Sequence, residues 1–390
     1  MKKMTSILLA AVLLVTLCVG CGQAPVEPSG IFYDATDINP AETMMTVDGN
    51  EIPAERYLYW IMNNCSSLAN SLIDYDTNFP GELDMFFNED KSINWDANFT
   101  GDQTLNQVVR TRAENRMKYD AVIENLAKEL DITLTDDDKA AMESDRTYIV
   151  DQLGSEEAFE TYLAQTGRSR ETYDTMSSVS YLYYHLMEKV AEEGSPLYLD
   201  PAEYDQYATY ADHILLATID LTTQASIGAD AILEKQNLAK ELAAELQELE
   251  GDALLKRFDE LADKYSEDTG RASNPNGYIY APGTMVASFE DAASALEPGQ
   301  VSGVVNSEYG YHIILRKDLA EGLAADPSQL PVITSTHLET VLQEKVDSCN
   351  VVYADTLEAF VPGTFFASYT KLLEQMSAEG GSEENTEAAE

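Results

Sequence analysis

The spacing of apolar residues changes twice along this chain of 390 residues. From about Met44 to Glu193 apolar residues recur at helical intervals, as in the stripe Tyr57, Ile61, Cys65, Leu68 and Leu72. That period marks helices with one buried face. At about Ala211 the rhythm switches. "H-I-L-L-A" (213–217) alternates as a half-buried strand does, and 301–305 and 311–316 read as two more strands. Between them Leu238, Leu242, Leu246 and Leu249 mark one amphipathic helix, and Leu254, Phe258, Leu261 and Tyr265 a second. After Leu319 the helical period returns over about 333–347 and 352–375. A sheet-bearing segment set between two helical flanks is an α+β chain.

The flanks carry further punctuation. "M-T-V-D-G-N-E-I" reads as a hairpin turning at Asp48-Gly49. Pro53 opens a helix at a favoured first-turn position. Residues 81–101 are rich in Asn and Asp and read as a loop. Helical runs cover about 104–130, 136–153, 156–166 and 169–192, and "G-S-P-L-Y-L-D-P" (194–201) is the clearest boundary. Residues 269–283 read as a loop, and Ser288 with Asp291 as a capping box for a helix at 289–296. Two C-terminal helices alone bury little surface, so they are expected to pack back on the first helical segment. The acidic tail (378–390) has no apolar run and is expected to be disordered.

Lys2 and Lys3, an apolar stretch from Ile7 to Val19, and Gly20-Cys21 have the layout of a secretory signal over residues 1–20. The Gly-Cys step resembles a bacterial lipobox, which implies a lipid on Cys21; a plain cleaved signal is the alternative. Residues 21–43, rich in Pro, Gly, Ala and acid, read as the tether. Cys65 and Cys349 remain, either as one disulfide or, for Cys65, as a buried free thiol. The four His and the cysteines are too scattered for a metal site. The charge, 24 Lys+Arg against 69 Asp+Glu, gives −45 and no basic footprint for nucleic acid. No ordered calcium loop is present, and no metal or cofactor is expected.

The middle segment carries the most specific signal. It opens with "A-D-H-I-L-L" and continues with "F-D-E-L-A-D-K-Y-S-E-D". Then follow "G-T-M-V-A-S-F-E-D-A-A-S-A-L-E-P-G-Q-V-S-G-V-V" and "Y-G-Y-H-I-I-L". In order and spacing, residues 211–317 resemble the parvulin family of peptidyl-prolyl isomerases. The resemblance implies a four-stranded antiparallel sheet with surrounding helices. In the flank, "L-T-D-D-D" (134–138) and "G-S-E-E-A-F-E-T-Y-L-A-Q-T-G-R-S-R-E-T-Y" (154–173) resemble the N-terminal chaperone domain of the SurA/PrsA group of extracytoplasmic foldases.

By that resemblance Met285 and Phe289 form the seat of the proline ring; ordinary core packing is the alternative. His213 and His312 match the family's paired histidines, and alternation allows both to face one hydrogen-bonded network. Asp268 falls where many parvulins carry an acid, or else is a solvated loop carboxylate. Tyr309 is the candidate to join its hydroxyl to the histidines, with Ser307 and Tyr311 behind it. Gly277 stands where the family often has an apolar residue lining the pocket, so Tyr278 and Tyr280 are the substitutes. "A-T-I-D-L-T-T-Q-A-S" (217–226) lacks the cations that a phosphoserine preference needs.

The chain thus divides into a leader (1–20), a lipidated tether (21–43) and a helical chaperone-like segment (44–198). A parvulin domain (205–320), returning helices (325–377) and the tail follow. The expected function is prolyl isomerisation and folding assistance for exported polypeptides at the outer face of the cell membrane, with a homodimer possible. The alternative is a non-catalytic holdase with a degenerate parvulin domain.

Overall fold

The computed structural model describes residues 28–387, with side chains through 378. The leader expected at 1–20, the lipidation expected at Cys21 and the last three residues lie outside them.

The first helical body is built on an aliphatic stripe. Strands β1 (Thr43–Val47) and β2 (Asn50–Pro53) form the hairpin, with Asp48 at φ 49° and Gly49 at φ 82°. Two positive φ values in succession are what a two-residue hairpin turn demands. Pro53 is the cap of α2 (Ala54–Asn78), whose Tyr57, Leu58, Ile61 and Cys65 are fully buried. A short ribbon, β3 (Asn98–Thr100) and β4 (Gln103–Thr104), leads into α3 (Leu105–Glu129). A reciprocal Thr104–Gln107 capping box starts that helix. α2 and α3 bury Val109, Ala113 and Met117 between them. Arg56 sits in this interface at 3 % exposure, 3.2 Å from Asp120 and 2.8 Å from Glu124, and Arg116 reaches the other Asp120 oxygen at 2.8 Å. α4 (Asp136–Leu153), α5 (Glu156–Gln165) and α6 (Arg170–Val190) follow, capped by Thr135, Ser155 and Ser169.

Residues 31–43 are not tether. Ile31–Thr36 form a one-turn-and-more helix, α1, whose Phe32 is 2 % exposed. Its ring meets Phe365 edge-on at 5.5 Å. The apolar pair Ile31-Phe32 outweighs the polar composition around it because a partner helix is there to cover it.

The middle segment is an antiparallel sheet in the order β6-β5-β8-β7. Its strands are β5 (Thr209–Ala217), β6 (Tyr278–Tyr280), β7 (Val305–Asn306) and β8 (Gly310–Arg316). Register pairs His213 with Ile314 and Leu215 with His312. Residues opposite one another share a face. One face (Ile214, Leu216, Ile313, Leu315) packs on α7 (Ala229–Gln247) and α8 (Gly251–Tyr265) through Leu242, Leu246, Leu254 and Phe258. The other face takes α9 (Ala287–Ser294) through Phe289 and Ala293. Three local expectations change. Ser288 lies inside α9, whose cap is Val286 with no side-chain bond, so there is no capping box. Val301 makes only an isolated bridge to Leu315, so the strand expected at 301–305 shrinks to β7. The 269–283 loop contains β6, because Tyr278 and Tyr280 pair with Ala211 and Thr209.

The chain then returns to the helical body. α10 (Leu319–Ala325) and α11 (Leu330–Ser348) follow, and Ile333, Leu338 and Leu342 share a cluster with Val122, Ile123 and Leu126 of α3 and Val179 and Leu186 of α6. The helix expected from 352 starts only at Pro362. Val351–Tyr353 instead form β9, paired antiparallel with β1, as β-branched residues favour. α12 (Pro362–Glu387) runs on through most of the tail expected to be disordered. The Gly380-Gly381 pair disfavours a helix there, whereas the Glu residues around it favour one. Cys65 and Cys349 are both free thiols. Burial pushes the Cys65 thiol well up. No helix among the described residues is long and apolar enough to cross a membrane.

Candidate active site

Two histidines open the site because strand pairing leaves them diagonal on one face. The ring centroids of His213 and His312 are 5.3 Å apart. α9 lowers Phe289 onto both, edge-to-face, at 5.2 Å from His213 and 5.6 Å from His312. Such contacts favour the ring edge over a partner's π-face. Tyr280 is 6.0 Å beyond Phe289 and nearly buried. Met285 lies half-buried against the same cluster. Its position is fixed by Glu290, whose carboxylate accepts N–H bonds from Met285 (2.7 Å) and Gly283 (2.9 Å).

Asp268 is held on the far side of His213. It accepts a hydrogen bond of 2.5 Å from the Tyr278 hydroxyl and one of 3.0 Å from the Gly270 N–H. The oxygen that takes the Tyr278 bond is also 3.8 Å from His213 Nε2, so the acid faces the imidazole without a tight bond. The Tyr278 ring lies over His213 at 5.8 Å. The loop carrying Asp268 is pinned at several points. Leu215 N–H donates to Ser266 Oγ at 3.1 Å, Glu267 N–H to Leu215 O at 2.8 Å, and Arg271 to both oxygens of buried Asp212 at 3.0 and 3.1 Å. Gly277 explains the missing apolar residue. It sits at φ +94°, and a Cβ there would lie 2.6 Å from the Ala211 carbonyl oxygen. No side chain fits there.

Tyr309 does not bring its hydroxyl to the histidines. Its side chain is exposed, and its backbone N–H donates to Ser307 Oγ at 3.1 Å. Ser307 makes the contact instead, with Oγ 2.7 Å from His312 Nε2. The turn is closed by the Ser307 N–H to Gly310 O bond of 2.9 Å, which swings Ser307 toward β8 while Tyr309 points out. Tyr311 packs with the α7/α8 cluster on the opposite face.

Both imidazoles are neutral at neutral pH. Burial holds His213 below the ordinary histidine range, opposed by Asp268 and Asp212. Burial, and then the neighbouring His213, brings His312 down to about 4. A depressed histidine value means the folded state resists the proton. The stability it carries is complete above the unfolded value near 6.5 and drains as pH falls toward 4. Over that window His312, coupled to His213, accounts for on the order of a few kcal/mol. Unfolding titrations from pH 7 to pH 4 are therefore expected to show a fall in stability that His312→Gln flattens; an unchanged slope in that variant would refute the assignment.

Residues 213–318 match the family model for rotamases, the PPIC-type PPIASE domain. Foldase protein PrsA of Geobacillus kaustophilus is 45 % identical over 90 residues, which is 23 % of this chain and 30 % of that protein. Chaperone SurA of Thiobacillus denitrificans is 30 % identical over 131 residues, 34 % of this chain and 26 % of that protein. The matched stretches thus span less than a third of either relative's own length. A crystal structure of the peptidylprolyl isomerase PrsA from Bacillus anthracis superposes with a TM-score of 0.28 at 20 % identity, over 60 % of this chain and 95 % of that one. The ordered motifs, the four-stranded sheet with its helices, and the family match together identify residues 213–318 as a parvulin-type, or PPIC-type, peptidyl-prolyl isomerase domain.

Proposed function

We propose that the chain is a peptidyl-prolyl cis-trans isomerase and foldase for exported polypeptides. The barrier to be lowered is about 18–20 kcal/mol and no covalent bond changes. What the reaction needs is a grip on the proline ring and a setting in which the preceding carbonyl swings out of conjugation. Met285 and Phe289 form the grip, with Tyr278 and Tyr280 completing its wall. His213, His312 and Ser307 surround the turning carbonyl as neutral groups, and Asp268 sets the field on the His213 side. Pre-arranged polar groups of this kind need no reorganisation as the amide twists. The observation that carries the reading is one phenyl ring in edge contact with two neutral imidazoles beside a pinned carboxylate.

The same reading divides the chain into a helical client-handling part (44–198 with 325–377) and the isomerase (205–320). It tethers them through a lipid on Cys21 at the outer face of the cell membrane. A holdase without catalysis has one observation in its favour: Phe289 is only 3 % exposed, so the seat is nearly closed when empty. A proline-peptide isomerisation assay with the full chain separates the two. Acceleration is expected; suppression of aggregation with no acceleration would establish the holdase.

A further inference from the structure

The apolar stripe of α2 outruns its core. Leu68, Leu72 and Tyr75 follow one another at spacings of four and three residues, the positions that share one helix face, and Phe79, the residue that ends α2, lies four further on. Leu68 and Leu72 are 6 % and 5 % exposed, whereas Tyr75 and Phe79 are 42 % and 51 % exposed. Their two rings lie against each other at 4.9 Å, forming one continuous aromatic surface. The segment that follows adds Met85 at 65 % and Phe99 at 38 % exposure, the latter resting on buried Phe86 at 5.9 Å. A monomer rarely leaves so many large apolar side chains uncovered in one region unless something binds there.

The rim says what that partner is. Between residues 73 and 100 there are seven acids (Asp74, Asp76, Glu82, Asp84, Glu89, Asp90, Asp96) and one base, Lys91. The Lys91 ammonium is 3.9 Å from Asp84 and lies near the Phe87 ring, so the single exposed cation offsets one of the seven acids and leaves the stretch strongly acidic. Such a rim repels an anionic lipid surface, and it repels a second copy of a chain whose net charge is −45. It attracts a chain in which apolar residues are interleaved with Lys and Arg. We propose that the distal end of α2, with the 80–100 segment, is a docking surface for unfolded polypeptide segments that are apolar and basic. The site is separate from the parvulin face and reads apolar and basic side chains rather than proline. It goes beyond the isomerase reading, and only its role as a client surface rests on the foldase assignment.

The test uses the full chain and a fluorescein-labelled, proline-free peptide of Leu, Phe, Gly and Lys. Its counterpart has Glu for every Lys. Fluorescence anisotropy is expected to show binding of the basic peptide, at least about tenfold weaker binding of the acidic one, and about tenfold loss in the Tyr75→Ser/Phe79→Ser double variant. Raising salt from about 0.05 to about 0.5 M is expected to weaken the basic peptide several-fold through screening. Tyr75 and Phe79 are exposed, so the variant keeps its fold, and its rate on a short proline peptide stays at the wild-type value. Equal binding of both peptides, or wild-type binding by the double variant, overturns the proposal. So does a wild-type dimer in sedimentation that the double variant dissolves, since that would make the surface a self-contact. The lack of proline in the probe means that none of these outcomes bears on the isomerase.

Discussion

Met285→Ala is expected to lower kcat/KM for proline-peptide isomerisation about ten- to a hundredfold while leaving the unfolding midpoint almost unchanged. The estimate follows from what the side chain does. A buried thioether contact is worth about 1.5–3 kcal/mol, and one factor of ten in rate is about 1.4 kcal/mol. Met285 is half-buried, held by its backbone bond to Glu290, and deleting its side chain opens no deep cavity. Phe289 is a different case. It is buried beneath both imidazoles, and Phe289→Ala is expected to cost about 3–5 kcal/mol of domain stability, which would confuse any rate measurement. Phe289→Leu keeps most of the volume and removes the edge contacts, each worth about 0.5–1.5 kcal/mol. It is expected to reduce kcat/KM with a folded domain. If Met285→Ala and Phe289→Leu both retained wild-type kcat/KM, the proline seat would have to be sought elsewhere. A rise in KM at constant kcat would mean that the seat holds the planar and twisted amides alike; a fall in kcat would mean that it favours the twisted one.

Arg56→Met in the helical body is expected to cost about 3–5 kcal/mol, because it strands the buried Asp120 carboxylate that the guanidinium now serves. Asp120 is 1 % exposed, and burial raises its value even with Arg116 and Arg56 beside it. Removing one of the two cations tips that balance further. For a body of this size the loss corresponds to a fall of about 10 °C in midpoint. The double variant Arg56→Met/Asp120→Leu is expected to recover much of the loss, since an apolar pair avoids the desolvation that the ions incur. Thermal melts followed by helical circular dichroism decide the matter, and a midpoint for Arg56→Met within about 2 °C of wild type would sink it. The sheet carries its own clusters, so activity on a short proline peptide is expected to outlast the melting of the helical body in this variant.

Much of this architecture could be read before any coordinates, and the failures have a common cause. The face shared by His213 and His312 follows from strand alternation, a local rule that needs only the pairing of β5 with β8. The stripe of α2 was equally legible, because helical period is written in one stretch of chain. The contact of Ser307 with His312 depends on how a four-residue turn closes, and the residue types at 307 and 309 do not say which hydroxyl swings inward. The burial of Phe32 is illegible in its own stretch because the aromatic rings that cover it arrive from α12, at the opposite end of the chain. β9 is three residues long, too short to display a period, and it exists because β1 offers an edge. Gly277 is the instructive case. As a letter it suggested a gap in the pocket, whereas the approach of the Ala211 carbonyl makes glycine the residue that the bend requires.

The first and last strands of the isomerase, β5 and β8, are hydrogen-bonded neighbours, and Ala211 pairs with Arg316. Partners in such a ladder are about 5 Å apart, so the cassette leaves its host nearly where it joined it. Its excision needs a short Gly-Ser splice to reconnect the two halves of the scaffold, at the expense of the packing that Ala208, Tyr210, Leu319 and the partly buried Tyr207 and Ile279 contribute to the α3–α6–α11 cluster. Under the function proposed above, holding a client and turning its prolines would then be separable trades of one chain, joined only at this seam.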